Sequence, residues 1–273
     1  MAILGKAGVD LTNWDSRTAG KARFREHNTS GDQRTAATWG ASSIKVSRSM
    51  VTGFVFTHDG PVCNVMSLSD STLAGEGSGI TYQYESQVLL ACELINAASP
   101  RAWMVHSNQG WSGQTTPLVV QRLKDILAYG LVPDILVFRA GSLNDMGAVG
   151  NPVTETIVNG WRAAMHEILA LCAANGICPI VMPILPVDHS VRQIGTSDSL
   201  RRNFNTNEVR TLAAQGILVA DDEVLVAGAI DGNGQGTFSI GSSTDLVHLN
   251  DVGKTLTLPP IQANILAAVG GYI

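Results

Sequence analysis

From Val62 onward, short apolar runs alternate with longer segments of helical spacing, and this alternation restricts the fold more than any other feature of the sequence. Strands are expected over residues 62–68, 103–107, 134–138, 177–184 and 217–220. Helices are expected over residues 82–97, 117–129, 154–175, 199–215 and 251–268. Pro117 suits a first helical turn, and Gly130 and Gly176 suit helix ends. Short apolar strands separated by helices imply an α/β fold whose parallel sheet is covered on both faces. In such sheets the reactive groups stand on loops at the carboxyl ends of the strands.

Residues 1–60 do not share this pattern. They are rich in Ser, Thr, Gly, Arg and Asn, and only Ile44 and Val46, with Phe54 and Phe56, suggest strands. We read residues 1–60 as a partly β N-terminal appendage, which either serves assembly or attachment or packs on its own domain, and residues 61–273 as the chemical domain. Edge-like strands in the appendage could pair with a second subunit, so a homo-oligomer is among the expected states.

Composition excludes several classes. Apolar residues make up 45% and charged residues 15%, which allows a sizeable core and argues against a disordered chain. The net charge of −5 gives no general attraction to nucleic acid, and none is expected as a partner. No run of 18 apolar residues is present, so no transmembrane helix is expected. The opening MAILGKAGVDLTNWD lacks the apolar stretch of a secretory signal. Localisation therefore stays open between the cytoplasm, export after loss of a leader, and release within a virion. Cys63, Cys92, Cys172 and Cys178 show no CxxC or zinc spacing; the first three read as small core residues, and a Cys172–Cys178 bridge has no support. The Gly-rich stretch over residues 231–238 reads as a flexible loop rather than a dinucleotide site.

The chemistry begins at MSLSDSTLAGEG, where Ser71 follows the first expected strand. A serine hydroxyl is a poor nucleophile until a base takes its proton. The plainer reading makes Ser71 or Thr72 a helix N-cap. Of six histidines, only His248 has an aspartate three residues earlier in a loop leading into a helix, in DLVHLNDVGK. Asp245 there can bond one imidazole nitrogen and leave the other for the serine. His166 falls inside a helical pattern, and His189 lies in a loop after the fourth strand. Two more strand-end segments offer donors to a developing oxyanion: Gly113 in NQGWSGQTTP through its backbone, and Asn144 in AGSLNDM through its amide. Read singly, both are ordinary turns. Trp111, beside Gly113, could stack on a sugar ring or pack on the sheet.

Taken in order, four segments resemble the four blocks of the SGNH, or GDSL-like, hydrolases. SDS at residues 69–71, SGQTT at 112–116, SLND at 142–145 and DLVH at 245–248 carry the resemblance, which spans about residues 61–270. It implies a flavodoxin-like three-layer α/β/α sandwich. It also implies Ser71 as nucleophile, Asp245 and His248 as the rest of a triad, and Ser71, Gly113 and Asn144 as oxyanion donors. Ser69 and Ser142 stand where the family has glycine, each adding a side chain near the site. No metal or organic cofactor is implied. The expected substrate is a short-chain ester, such as an O-acetyl group on carbohydrate, with Trp111 as a substrate contact. The rival functions are an acyltransferase using the same triad, and a non-enzymatic glycan-binding or virion structural module.

Overall fold

The computed structural model describes residues 62–77, 86–98, 103–146 and 152–270, so the expected appendage over residues 1–60 lies outside the described residues. Five strands form one parallel sheet: β1 (Val62–Ser69), β2 (Trp103–Gly110), β3 (Ile135–Arg139), β4 (Cys178–Met182) and β5 (Leu218–Val219). Their order is β2-β1-β3-β4-β5. Every pairing is parallel, with Val65 opposite both His106 and Ile135. This is the doubly wound order in which the chain reverses direction between β1 and β3 and opens a crevice at their carboxyl ends.

The period-two alternation of the strands sorts their side chains between two cores. Met66, Leu68, Leu136 and Phe138 point to one face, which is covered by α3 (Thr116–Ala128) and α4 (Glu155–Asn175). Val65, Ile135 and Val137 point to the other, which is covered by α2 (Gln87–Ala98) and α7 (Asp251–Ala268). Leu68, Leu136 and Phe138 in the first core and Val137 in the second are wholly buried. Truncating Leu136 to alanine would cost about 2–5 kcal/mol in lost burial and cavity. The result is the three-layer α/β/α sandwich expected from the sequence.

Three expectations need correction. The helix expected over residues 199–215 is an α-helical stretch, α5 (Asp198–Phe204), then a π turn (Asn205–Val209) and a 3-10 turn (Arg210–Gln215). The wide turn begins at buried Asn205, whose amide donates to the Ile184 carbonyl and to Glu223 and accepts from the Ile184 N–H. The Gly-rich stretch is not a loose loop. It closes an antiparallel hairpin of β6 (Ala227–Ile230) and β7 (Gly236–Phe238), which follows the one-turn helix α6 (Glu223–Val226). Asp231 accepts from the Asn233 and Gln235 N–H groups at 2.8 and 2.9 Å, which tightens that turn. Lastly, Cys63, read as a core residue, is only partly buried at the margin of the second core, and all four cysteines are free thiols. Burial pushes the Cys63 and Cys172 thiols up to about 12, away from reactive thiolates.

Candidate active site

Ser71 opens α1 (Ser71–Ala74), a one-turn helix at the end of β1. The N-cap of this turn is Asp70, whose side chain accepts the Thr72 N–H at 2.9 Å. The capping role considered for Ser71 or Thr72 thus falls to the preceding aspartate, and the Ser71 hydroxyl is left for another partner. That partner is His248: its Nε2 lies 2.8 Å from Ser71 Oγ, across 177 residues of chain. Its Nδ1 lies 2.8 Å from Asp245 Oδ2. A carboxylate only accepts, so Nδ1 carries the hydrogen, and in the neutral ring Nε2 offers its lone pair to the serine O–H.

Asp245 is held in the orientation this needs. Its Oδ1 accepts the His248 and Val247 N–H groups at 2.7 and 3.0 Å. Partial burial pushes its carboxyl up, but these two bonds and the bond to the imidazole outweigh burial and hold it below the usual carboxylate range. Between the two, Leu246 adopts a left-handed φ of 63°, rare for a leucine. Its carbonyl accepts the Asp188 N–H at 3.0 Å, which ties this strained turn to the loop after β4.

The other strand-end loops meet at two carboxylates. Asp70 is wholly buried and accepts four close bonds: Thr72 N and Oγ1, Ser142 Oγ at 2.6 Å and Leu143 N at 3.0 Å. It joins the loops after β1 and β3 across the crevice. Asp145 accepts Thr116 N at 3.0 Å, Thr116 Oγ1 and Trp161 Nε1 at 2.8 Å, so it joins the loops after β3 and β2. Ser142, in a glycine's place in the SGNH pattern, is buried with its hydroxyl against Asp70 and the Gln114 carbonyl. Ser69 is buried too, 3.4 Å from Asp70. Both added side chains belong to this polar frame.

Asn144 donates its amide to the Gln114 carbonyl at 3.1 Å, one residue from Gly113. Gly113 has a φ of +74° in an exposed turn, a conformation that favours glycine. The described contacts link Asn144 to the Gly113 turn; they include no hydrogen bond from either to Ser71. Trp111 donates its backbone N–H to the Ser69 carbonyl at 3.0 Å, and the Arg122 guanidinium stands 5.2 Å from the centre of its ring. The Trp111 backbone is therefore tied to the end of β1, and Arg122 of α3 packs on its ring.

The remaining histidines lie elsewhere. His166 is exposed on α4. His189 meets Gln235 at 3.2 Å. His106 bonds Ser67 on the sheet, and burial pushes its imidazole down to about 3. Asp70, Asp145, Arg139 and Arg192 have no role that the sequence alone reveals. Arg139, buried at the end of β3, donates to Thr72 Oγ1 at 2.9 Å, to the Pro183 carbonyl at 2.7 Å and to Asp222 at 2.7 Å. The signal for the two acids was their place inside the quoted blocks, beside serine and asparagine. Among the described residues, no cluster of His, Cys, Asp or Glu could hold a metal ion, and no helix is long and apolar enough to cross a membrane.

No family model and no curated protein matches the sequence. Solved structures do match. A provisionally assigned acylhydrolase from Bacteroides fragilis is 17% identical with a TM-score of 0.56, covering 75% of this chain and 88% of its own. A GDSL-like lipase from Bacteroides thetaiotaomicron is 19% identical with a TM-score of 0.52, covering 77% and 89%. An acetylxylan esterase from Geobacillus stearothermophilus is 16% identical with a TM-score of 0.53, covering 77% and 95%. The likeness is one of fold.

Proposed function

We propose that this chain, which has the fold of GDSL-like lipases and acylhydrolases, is a serine ester hydrolase acting through Ser71, His248 and Asp245. The observation that carries the reading is the continuous line from Asp245 Oδ2 to His248 to Ser71 Oγ, with 2.8 Å at each step. His248 Nε2 takes the hydroxyl proton as Ser71 Oγ attacks the ester carbonyl. The imidazolium that forms is stabilised by the Asp245 carboxylate. Ser71 N–H, Gly113 N–H and the Asn144 amide hold the developing oxyanion. His248 then protonates the leaving alcohol, and the same imidazole deprotonates the water that releases the acid.

We assign a short acyl group to the substrate, with O-acetylated carbohydrate as the favoured class. The sequence has no long apolar lid, and one neighbour of the same fold is an acetylxylan esterase. Trp111 is proposed as the sugar contact. A panel of p-nitrophenyl esters of rising chain length, beside acetylated sugars, tests this. Turnover should peak at acetyl and fall with chain length. Trp111→Ala should raise KM on the acetylated sugar and leave p-nitrophenyl acetate nearly unchanged. Peak turnover on long acyl chains would contradict the substrate assignment. Turnover that depends on an added acceptor alcohol would make the protein an acyltransferase instead.

A further inference from the structure

We infer that Arg192, in the loop after β4, is a positioning residue that sets the orientation of the Asn144 amide. Arg192 lies outside all four sequence blocks. Its Nη1 donates to the Leu143 carbonyl at 2.7 Å and its Nη2 to Asn144 Oδ1 at 3.3 Å. On the other side of the same turn, Asp70 accepts the Leu143 N–H at 3.0 Å. Leu143, which leads into Asn144, is thus clamped through its N–H by a carboxylate and through its carbonyl by a guanidinium. Because Arg192 only donates and the Gln114 carbonyl only accepts, the two together allow one flip of the Asn144 amide. Oδ1 faces the cation and Nδ2 faces the Gly113 turn. One Nδ2 hydrogen goes to Gln114, and the second remains for an oxyanion.

The loop that presents Arg192 is itself braced. Buried Gln235, in the hairpin turn, donates to the Val187 and Arg192 carbonyls at 2.5 and 2.9 Å. It also accepts the Ile194 and Gly195 N–H groups at 3.1 and 2.9 Å. The Gly-rich hairpin turn therefore holds the loop that holds the arginine.

The inference rests on the esterase reading, and its test separates the two. The kcat and KM on p-nitrophenyl acetate would be measured for Arg192→Met, Arg192→Lys, Asn144→Ala and the Met/Ala double variant, with circular dichroism to check folding. Arg192→Met should lose about 10²-fold in kcat with KM unchanged, the scale of a misplaced catalytic group. The double variant should lose no more than Asn144→Ala alone, because both changes remove the same donor. Arg192→Lys keeps the charge but cannot span both oxygens, and should recover only part of kcat. It also carries the test should Arg192→Met fail to fold. Wild-type kcat in either single Arg192 variant, or losses that multiply in the double variant, would overturn the inference while leaving the esterase reading intact. A wild-type chain that neither turns over the ester nor reacts with a fluorophosphonate would overturn the esterase reading, and this inference with it.

Discussion

Ser71, His248 and Asp245 differ in what each must keep constant, and that sets what their replacement should do. Ser71→Ala removes the only group proposed to form the acyl-enzyme. The fold should persist, since Ser71 Oγ has His248 as its described partner. Ester turnover should drop to what binding and oxyanion donors alone sustain, roughly 10³–10⁴ over water in proteases that use the same kind of triad. His166→Asn, on the exposed face of α4, is the matched control and should turn over as the wild type does. The pH profile carries a second prediction. Asp245 is held below the usual carboxylate range, so it stays anionic until pH falls below that range. The acid limb of kcat/KM should therefore carry no contribution from Asp245 and have a slope of one. A slope of two would mean that Asp245 takes up a proton along the same limb. The same lowered carboxyl contributes stability above its unfolded-state value, and that contribution is lost as pH falls through the folded-state value. The proposed pair of Asp245 and His248 could be picked out in the sequence because DxxH is a local pattern in a loop before a helix. Asp70 and Arg192 could not. Their partners lie 73 and 48 residues away, at Leu143 and Asn144, and no spacing rule reaches across such distances.

At the level of elements, the placement of Ser71 depends on how closely α1 approaches the end of β2. A Cβ added at Gly110 would stand 2.3 Å from the Ala74 nitrogen and 2.5 Å from its Cα. Those are backbone atoms and cannot swing aside. Gly110→Ala should push α1 outward, cost about 1–3 kcal/mol as an overpacked contact, and separate Ser71 from His248. Thermal melting and ester turnover read the two effects, and activity should fall further than the loss of stability explains. Gly113→Ala makes the contrast: nothing stands within 4 Å of its added Cβ, and only its positive φ resists. Its stability cost should be about 1–2 kcal/mol. Unchanged activity in Gly110→Ala would contradict the role given to this approach. The strands and long helices were legible because their apolar periodicity is strong and uninterrupted. The β6–β7 hairpin was not: three of the four residues of β6 are exposed, β7 has three residues, and neither shows apolar alternation. The π turn was hidden for a different reason. It begins at buried Asn205, whose polar partners come from Ile184 and Glu223, well outside the helix.

For the whole molecule, the switch between β1 and β3 places the loops after three strands within reach of two carboxylates, buried Asp70 and half-buried Asp145. Every residue proposed for chemistry lies between Ser71 and His248, within the sheet-and-helix body. The remaining question at this scale is what residues 1–60 do. We propose that they serve assembly or attachment. A chain beginning at His58 should hydrolyse a small ester at the full-length rate and show a smaller size by light scattering. An insoluble product would mean that the first sixty residues complete the fold, and a small soluble product of unchanged oligomeric state would remove the assembly role.

Whether Ser71 is a nucleophile activated by His248 is tested most directly by intact-mass spectrometry after reaction with a fluorophosphonate. The expected result is a single adduct that maps to Ser71, is absent from Ser71→Ala and forms far more slowly in His248→Asn. An unlabelled wild-type chain, or an adduct on any other residue, would contradict that role for Ser71.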